Sequence, residues 1–83
     1  MYKIKIIPSA QKDLDNLERK FFLQIKKKIL ALKFNPRPDN SVKLSADEGY
    51  RIRSGRYRIL YRIDEKEKIV YIYRIKHRKE AYR

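Results

Sequence analysis

The chain has 83 residues, 42% of them apolar and 40% charged, with a formal net charge of +13. That balance excludes a disordered polyelectrolyte and a membrane-spanning protein, and leaves a single domain, residues 1–83, with a small core. No Cys and a single His exclude disulfides, thiolate metal sites and His-based metal clusters, so no cofactor and a cytoplasmic setting are expected.

Tyr2-Lys3-Ile4-Lys5-Ile6 alternates with period two and is expected to form a strand. Lysines inside this first apolar run argue against a signal peptide. Pro8 and Ser9 punctuate it, with Ser9 at the expected N-cap of a helix. From there Ala10, Leu14, Leu17, Phe21, Ile25, Ile29 and Leu32 fall on one helical stripe. One long helix satisfies that spacing, and so do two helices broken near residues 18–20. Asn35-Pro36-Arg37-Pro38 ends the helical region, because a residue before proline is pushed out of the α conformation.

Residues 41–44 read as a short strand or an extended lead-in, and residues 46–49 as a turn. Three strand patterns follow, at 50–53, 57–63 and 69–75. Ser54-Gly55 marks a hairpin turn and Asp64-Glu65-Lys66-Glu67 a polar one. The order predicts an α+β fold, β-α-(α)-β-β-β. A four-stranded, mainly antiparallel sheet would pack on an N-terminal helix or helical hairpin. Alternation sends Tyr50, Ile52, Tyr57, Ile59, Tyr61 and Ile63 to one face and Arg51, Arg53, Arg58 and Arg62 to the other. The third pattern sets Ile69, Tyr71, Tyr73 and Ile75 against Val70, Ile72 and Arg74. Being apolar on both faces, it is expected inside the sheet.

The charge is clustered. GYRIRSGRYRILYRI, residues 49–63, holds five arginines and no acid, and residues 74–83 hold five Lys/Arg against one Glu. Clustering of this kind is the footprint of a polyanion site, or of an acidic partner, more than of diffuse solubilising charge. From composition alone, a basic RNA- or DNA-binding module ranks first.

The order of elements, the hairpin YRIR-SG-RYRILY, the acidic turn and the closing HRKEAYR together resemble the RelE/ParE toxin superfamily of toxin–antitoxin modules. The resemblance covers nearly the whole chain, and its specific part is the C-terminal half. It implies a RelE-like sheet on a helical hairpin with a concave basic face. It also implies one of two activities: mRNA cleavage, mostly on the ribosome, in the RelE branch, or poisoning of DNA gyrase in the ParE branch. The partners implied are a cognate antitoxin, mRNA and the ribosome, with no membrane.

Residue by residue, Arg51 and Arg53 match a basic pair before the hairpin, where ribosome-dependent RelE proteins often carry lysines. Arg58 matches an arginine after the hairpin, Arg78 one near the tail, and Tyr82 a tyrosine near the C-terminus. Arg58, Arg78 and Tyr82 are the implied catalytic set and Arg51 and Arg53 the implied RNA contacts; His77 and Lys76, beside Arg78, are expected RNA contacts too, although many members carry Gly at the position of Lys76. The chemistry agrees for the first group. Guanidinium stays charged and grips phosphate oxygens in pairs, while a tyrosine among cations is suited to proton transfer. Arg51 and Arg53 are poor bases for the same reason, so the general base is left unassigned. Arg56 and Arg62 read as bystanders, a turn charge and a strand-end charge.

Overall fold

The computed structural model describes residues 1–78. Seven elements follow in order: β1 (Lys3–Ile6), α1 (Pro8–Asp15), α2 (Arg19–Ala31), β2 (Val42–Lys43), β3 (Tyr50–Ser54), β4 (Tyr57–Asp64) and β5 (Ile69–His77). The five strands form one sheet in the order β1-β5-β4-β3-β2, in which only β1 and β5 are parallel. The expected α+β architecture is what the chain adopts. It gains a fifth strand, because Val42 and Lys43 pair with Arg51 and Tyr50 instead of merely leading into the sheet.

The helical segment divides in two. The chain leaves the helix at Asn16 (ψ 0°) and turns extended at Glu18 (ψ 149°), slightly before the break expected at residues 18–20. α1 also starts earlier than expected. Pro8 occupies its first turn, where the missing N–H costs nothing, and Ile7 is the N-cap. Ser9 is therefore no cap; its Oγ donates to the Tyr73 carbonyl at 2.8 Å.

The helical stripe packs as its spacing predicts except at Phe21. Ala10, Leu14, Ile25, Ile29 and Leu32 are buried against Ile52, Ile59, Tyr61, Val70, Ile72 and Ile75 of the sheet, with Leu17 and, in place of Phe21, Phe22 at the margin. Both helices thus cover one face, and neither of them covers the other, the open face. Tyr61, fully buried, spends its hydroxyl on the Pro36 carbonyl at 2.7 Å, and burial pushes its pKa up to about 12. That bond ties the connection after α2 to the centre of the sheet.

Strict alternation fails in one place. Along β4 and β5 the pairs run Ile63↔Val70, Arg62↔Tyr71 and Tyr61↔Ile72, then jump to Leu60↔Arg74, Ile59↔Ile75, Arg58↔Lys76 and Tyr57↔His77. Tyr73 is the extra residue of a β-bulge, and one extra residue inverts every side chain beyond it. Val70 and Ile72 face the core before the bulge. Ile75 faces the core after it, while Arg74 and Lys76 turn to the open face. The expected grouping of Tyr73 and Ile75 on one face is corrected accordingly. The expectation that this strand is interior stands, since β5 lies between β1 and β4.

Gly49 is fixed by close approach. Its φ is +80°, and a Cβ there would overlap the Tyr61 carbonyl oxygen. The loop before it is held to β4 and β5, by Arg62 Nε donating to the Asp47 carbonyl (2.7 Å) and Tyr73 Oη to the Glu48 carbonyl (2.6 Å).

Candidate functional site

The β3–β4 hairpin turns through Gly55 and Arg56, with Ser54 opposite Tyr57 and Gly55 at φ +60°. A glycine in the first central position is what a two-residue turn of type II′ requires. This tight turn fixes the register of everything that follows. Arg53 faces Arg58 across the hairpin, and Arg58 in turn faces Lys76 on β5. Three cations thus stand in one row across three strands of the open face. Like charges directly opposite one another destabilise a sheet, a cost that an anion seated on this face would offset.

At the end of that row is a cleft of about 60 Å³ lined by Arg53, Gly55, Arg56, Tyr57, Arg58 and Arg78. Four of these six lining residues are arginines and none is acidic. The Arg78 backbone N–H donates to the Arg56 carbonyl at 2.6 Å, which fastens the end of β5 to the hairpin turn. Arg58 is only 6% exposed although neither α1 nor α2 covers its face, so its side chain has little freedom left. A guanidinium with little conformational freedom left loses less on gripping a phosphate than a mobile one. A compact anionic group would suit the charge and size of such a cleft.

The implied site residues divide between positions. Arg53, Arg58 and Arg78 meet in the cleft, and Lys76 stands beside Arg58 in the charged row. Arg51 shares the open face but lies opposite Leu60 and Val42, two residues along β3 from the cleft. Its Nε is buried with no hydrogen-bond partner among the described residues. His77 takes the other face. It pairs with Tyr57, whose ring it meets edge-on at 5.2 Å, and Tyr57 packs in turn on Phe21 of α2 at 5.4 Å. Tyr82 lies outside the described residues.

Arg56, expected to be a bystander, instead lines the cleft, its carbonyl receiving Arg78. Its position as the second turn residue is legible in the sequence, but the arrival of the end of β5 beside it is not. Arg62 stays out of the cleft. Its guanidinium lies 4.4 Å over the Tyr73 ring and serves the loop before Gly49. Among the described residues, no group of three or more His, Cys, Asp or Glu gathers in a way that could hold a metal ion, and no helix is long and apolar enough to cross a membrane.

The chain, a mixed sheet backed by two helices, matches proteins already known. A family model for the ParE toxins of type II toxin–antitoxin systems (parDE) matches residues 4–82. RelE1 of Methanocaldococcus jannaschii, described as a toxin, is 30% identical over 86 residues, covering 99% of this chain and 96% of that protein. In the RelE–RelB complex from Pyrococcus horikoshii OT3, one chain superposes with a TM-score of 0.82 at 29% identity, over 93% of this chain and 94% of that one. A chain of the toxin–antitoxin complex RelBE2 from Mycobacterium tuberculosis gives 0.81 at 28% identity, over 93% and 98% of the two chains. The chain belongs to the RelE/ParE toxin superfamily of type II toxin–antitoxin systems.

Proposed function

We propose that the protein is a metal-independent endoribonuclease that cleaves mRNA on the ribosome and is neutralised by a cognate antitoxin. The observation that carries this reading is the cleft where Arg53, Arg56, Arg58 and Arg78 converge at the end of the Arg53–Arg58–Lys76 row. RNA cleavage without a metal requires that positive charge meet the phosphorane, and guanidiniums aimed at one point supply it. The antitoxin is supported by the two toxin–antitoxin complexes that share this fold.

In this reading Arg51, Arg53 and Lys76 hold the phosphate backbone on the open face. The ribose 2′-oxygen attacks the adjacent phosphorus, its proton passing to a base. The bond from phosphorus to the 5′-oxygen breaks, leaving a 2′,3′-cyclic phosphate on one product. The other product leaves with a 5′-hydroxyl, protonated with the help of Tyr82. Arg58 and Arg78 bind the non-bridging oxygens, whose negative charge grows in the transition state. His77 acts through Tyr57, which lines the cleft and carries its ring against the imidazole. The base is left unassigned, since the guanidiniums of the cleft have almost no neutral form at pH 7.

The match to the ParE model favours a second reading, inhibition of DNA gyrase without RNA cleavage. Both are tested by incubating the protein with programmed ribosomes, with naked mRNA and with gyrase plus supercoiled DNA. Cuts in ribosome-bound mRNA carrying 2′,3′-cyclic phosphate and 5′-hydroxyl ends are expected. Intact mRNA with gyrase-dependent DNA breaks would replace the first reading by the second.

A further inference from the structure

β1 ends at Ile6, opposite Ile72, so among the described residues the rest of β5 has no strand beside it on that side. α1 takes over at this point. The Ser9 hydroxyl donates to the Tyr73 carbonyl at 2.8 Å, and Asp13 Oδ2 accepts from the Ile75 backbone N–H at 2.8 Å and from Arg74 Nε at 2.9 Å. Two side chains one helical turn apart therefore grip the backbone of β5 on both sides of Arg74. This is also where the bulge sits, between Ile72 and Arg74 in the ladder with β4.

We infer that Asp13, assisted by Ser9, is a positioning residue for the arginine cleft. It locks the bulge, and the bulge sets the phase of β5 beyond it. Without the extra residue, strict alternation would carry Arg74, Lys76 and Arg78 to the core face with Val70 and Ile72, and would expose Ile75. With it, Ile75 meets Ile59 in the core, Lys76 meets Arg58, and Arg78 reaches the cleft. A carboxylate accepting both a backbone amide and a guanidinium favours the bulged conformation. Asp13 lies on the first helix and is not among the residues lining the cleft; its influence passes through β5. This role rests on the reading of the cleft as an RNA-phosphate site, but binding, and not cleavage, is what tests it.

The test measures the affinity of a short fluorescent 2′-O-methyl RNA, which cannot be cut, for the full chain and for Asp13→Ala, Asp13→Asn, Arg78→Ala and Asp13→Ala/Arg78→Ala. Asp13→Ala should weaken binding about tenfold, the scale of one charge-assisted phosphate contact. Charge alone predicts the opposite sign, since removing a carboxylate from a basic protein tightens RNA binding. Asp13→Asn keeps an oxygen for the Ile75 N–H and should retain most of the affinity. In the Arg78→Ala background Asp13→Ala should add distinctly less than in the wild type, because the Arg78 contact is already gone and only that of Lys76 is left to lose. Should Asp13→Ala not fold, Ser9→Ala carries the test, with a loss of about threefold that likewise shrinks in the Arg78→Ala background. Unchanged or tighter binding in Asp13→Ala, or a loss that repeats in full in the Arg78→Ala background, overturns the inference. If the binding pattern holds while the wild-type protein leaves mRNA intact, the nuclease reading falls and the positioning role stands. If the wild-type protein cuts mRNA without that binding pattern, the positioning role falls and the nuclease reading stands.

Discussion

Two ends of the molecule handle positive charge in opposite ways. At the β4–β5 turn, Glu65 accepts from Tyr2 Oη (2.9 Å), Arg37 (2.9 Å) and Lys68 (3.4 Å), and Arg37 also donates to Tyr50 Oη at 3.1 Å. Those contacts hold the Glu65 carboxyl below its ordinary value, the Tyr2 hydroxyl contributing most, and raise the Arg37 guanidinium, Tyr50 contributing most. Cations there are matched by an acid and two phenols, and the result is a clasp between the N-terminus, the connection after α2 and the turn. At the β3–β4 turn, four arginines line one cleft whose described lining residues include no acid. The same residue type holds the structure together at one end and lines an open cleft at the other. Net charge alone cannot tell these apart; the placement of the few acids can.

The contrast is broken most directly by removing one cation from each end. Arg78→Ala should lower cleavage of ribosome-bound mRNA by about 100-fold or more, the cost of losing one donor to a developing oxyanion. Its melting temperature should stay at the wild-type value, because the Arg78 side chain is exposed. Arg37→Ala should do the reverse, with cleavage intact and a small loss of stability in urea unfolding. If Arg37→Ala abolishes cleavage with its fold intact, the division between the two ends fails.

The next effect concerns the scaffold between the ends. Gly49→Ala should cost about 3 kcal/mol in urea unfolding, from a left-handed backbone and a Cβ forced onto the Tyr61 carbonyl. Tyr61→Phe should cost about 1 kcal/mol or somewhat more, since the hydroxyl's hydrogen bonds with the Pro36 carbonyl and the Ser41 side chain are removed while the ring still fills the core. Both variants should cut mRNA normally when measured well below their melting temperatures.

The smallest effect is the pH dependence of the clasp. Because the Glu65 carboxyl is depressed in the folded state, its contribution is present in full above the ordinary carboxylate value and fades as pH falls through the depressed one. Glu65→Gln should therefore lower the melting temperature at pH 7, and the gap to wild type should close under acid conditions. A gap that persists unchanged at low pH would assign the loss to packing and not to charge.

Much of the fold is legible in local pattern, and the limits of that pattern have physical causes. The helical stripe from Ala10 to Leu32 and the hairpin around Gly55 declare themselves because one face of each element must be buried. The break after Asp15 has no Gly or Pro to announce it; it comes from the need of both helices to reach the same sheet face. The bulge at Tyr73 is invisible in the sequence for a different reason. Tyr71, Tyr73 and Ile75 continue an unbroken apolar alternation, and the shift of phase is imposed by β4 and by Asp13 and Ser9, far earlier in the chain. The site divides along the same line. Arg53 and Arg58 can be placed from the hairpin alone, whereas Arg56 and Arg78 come together only once β5 has been set in register beside it.

The central claim is that the cleft positions one phosphodiester for attack by its own 2′-hydroxyl. It is tested by programming ribosomes with mRNA carrying a single 2′-deoxy nucleotide on the 5′ side of the mapped cut. The modified message should bind as well as the natural one and stay whole at that bond, while the natural message yields a 2′,3′-cyclic phosphate. Cutting of the deoxy-substituted bond at the natural rate would contradict it.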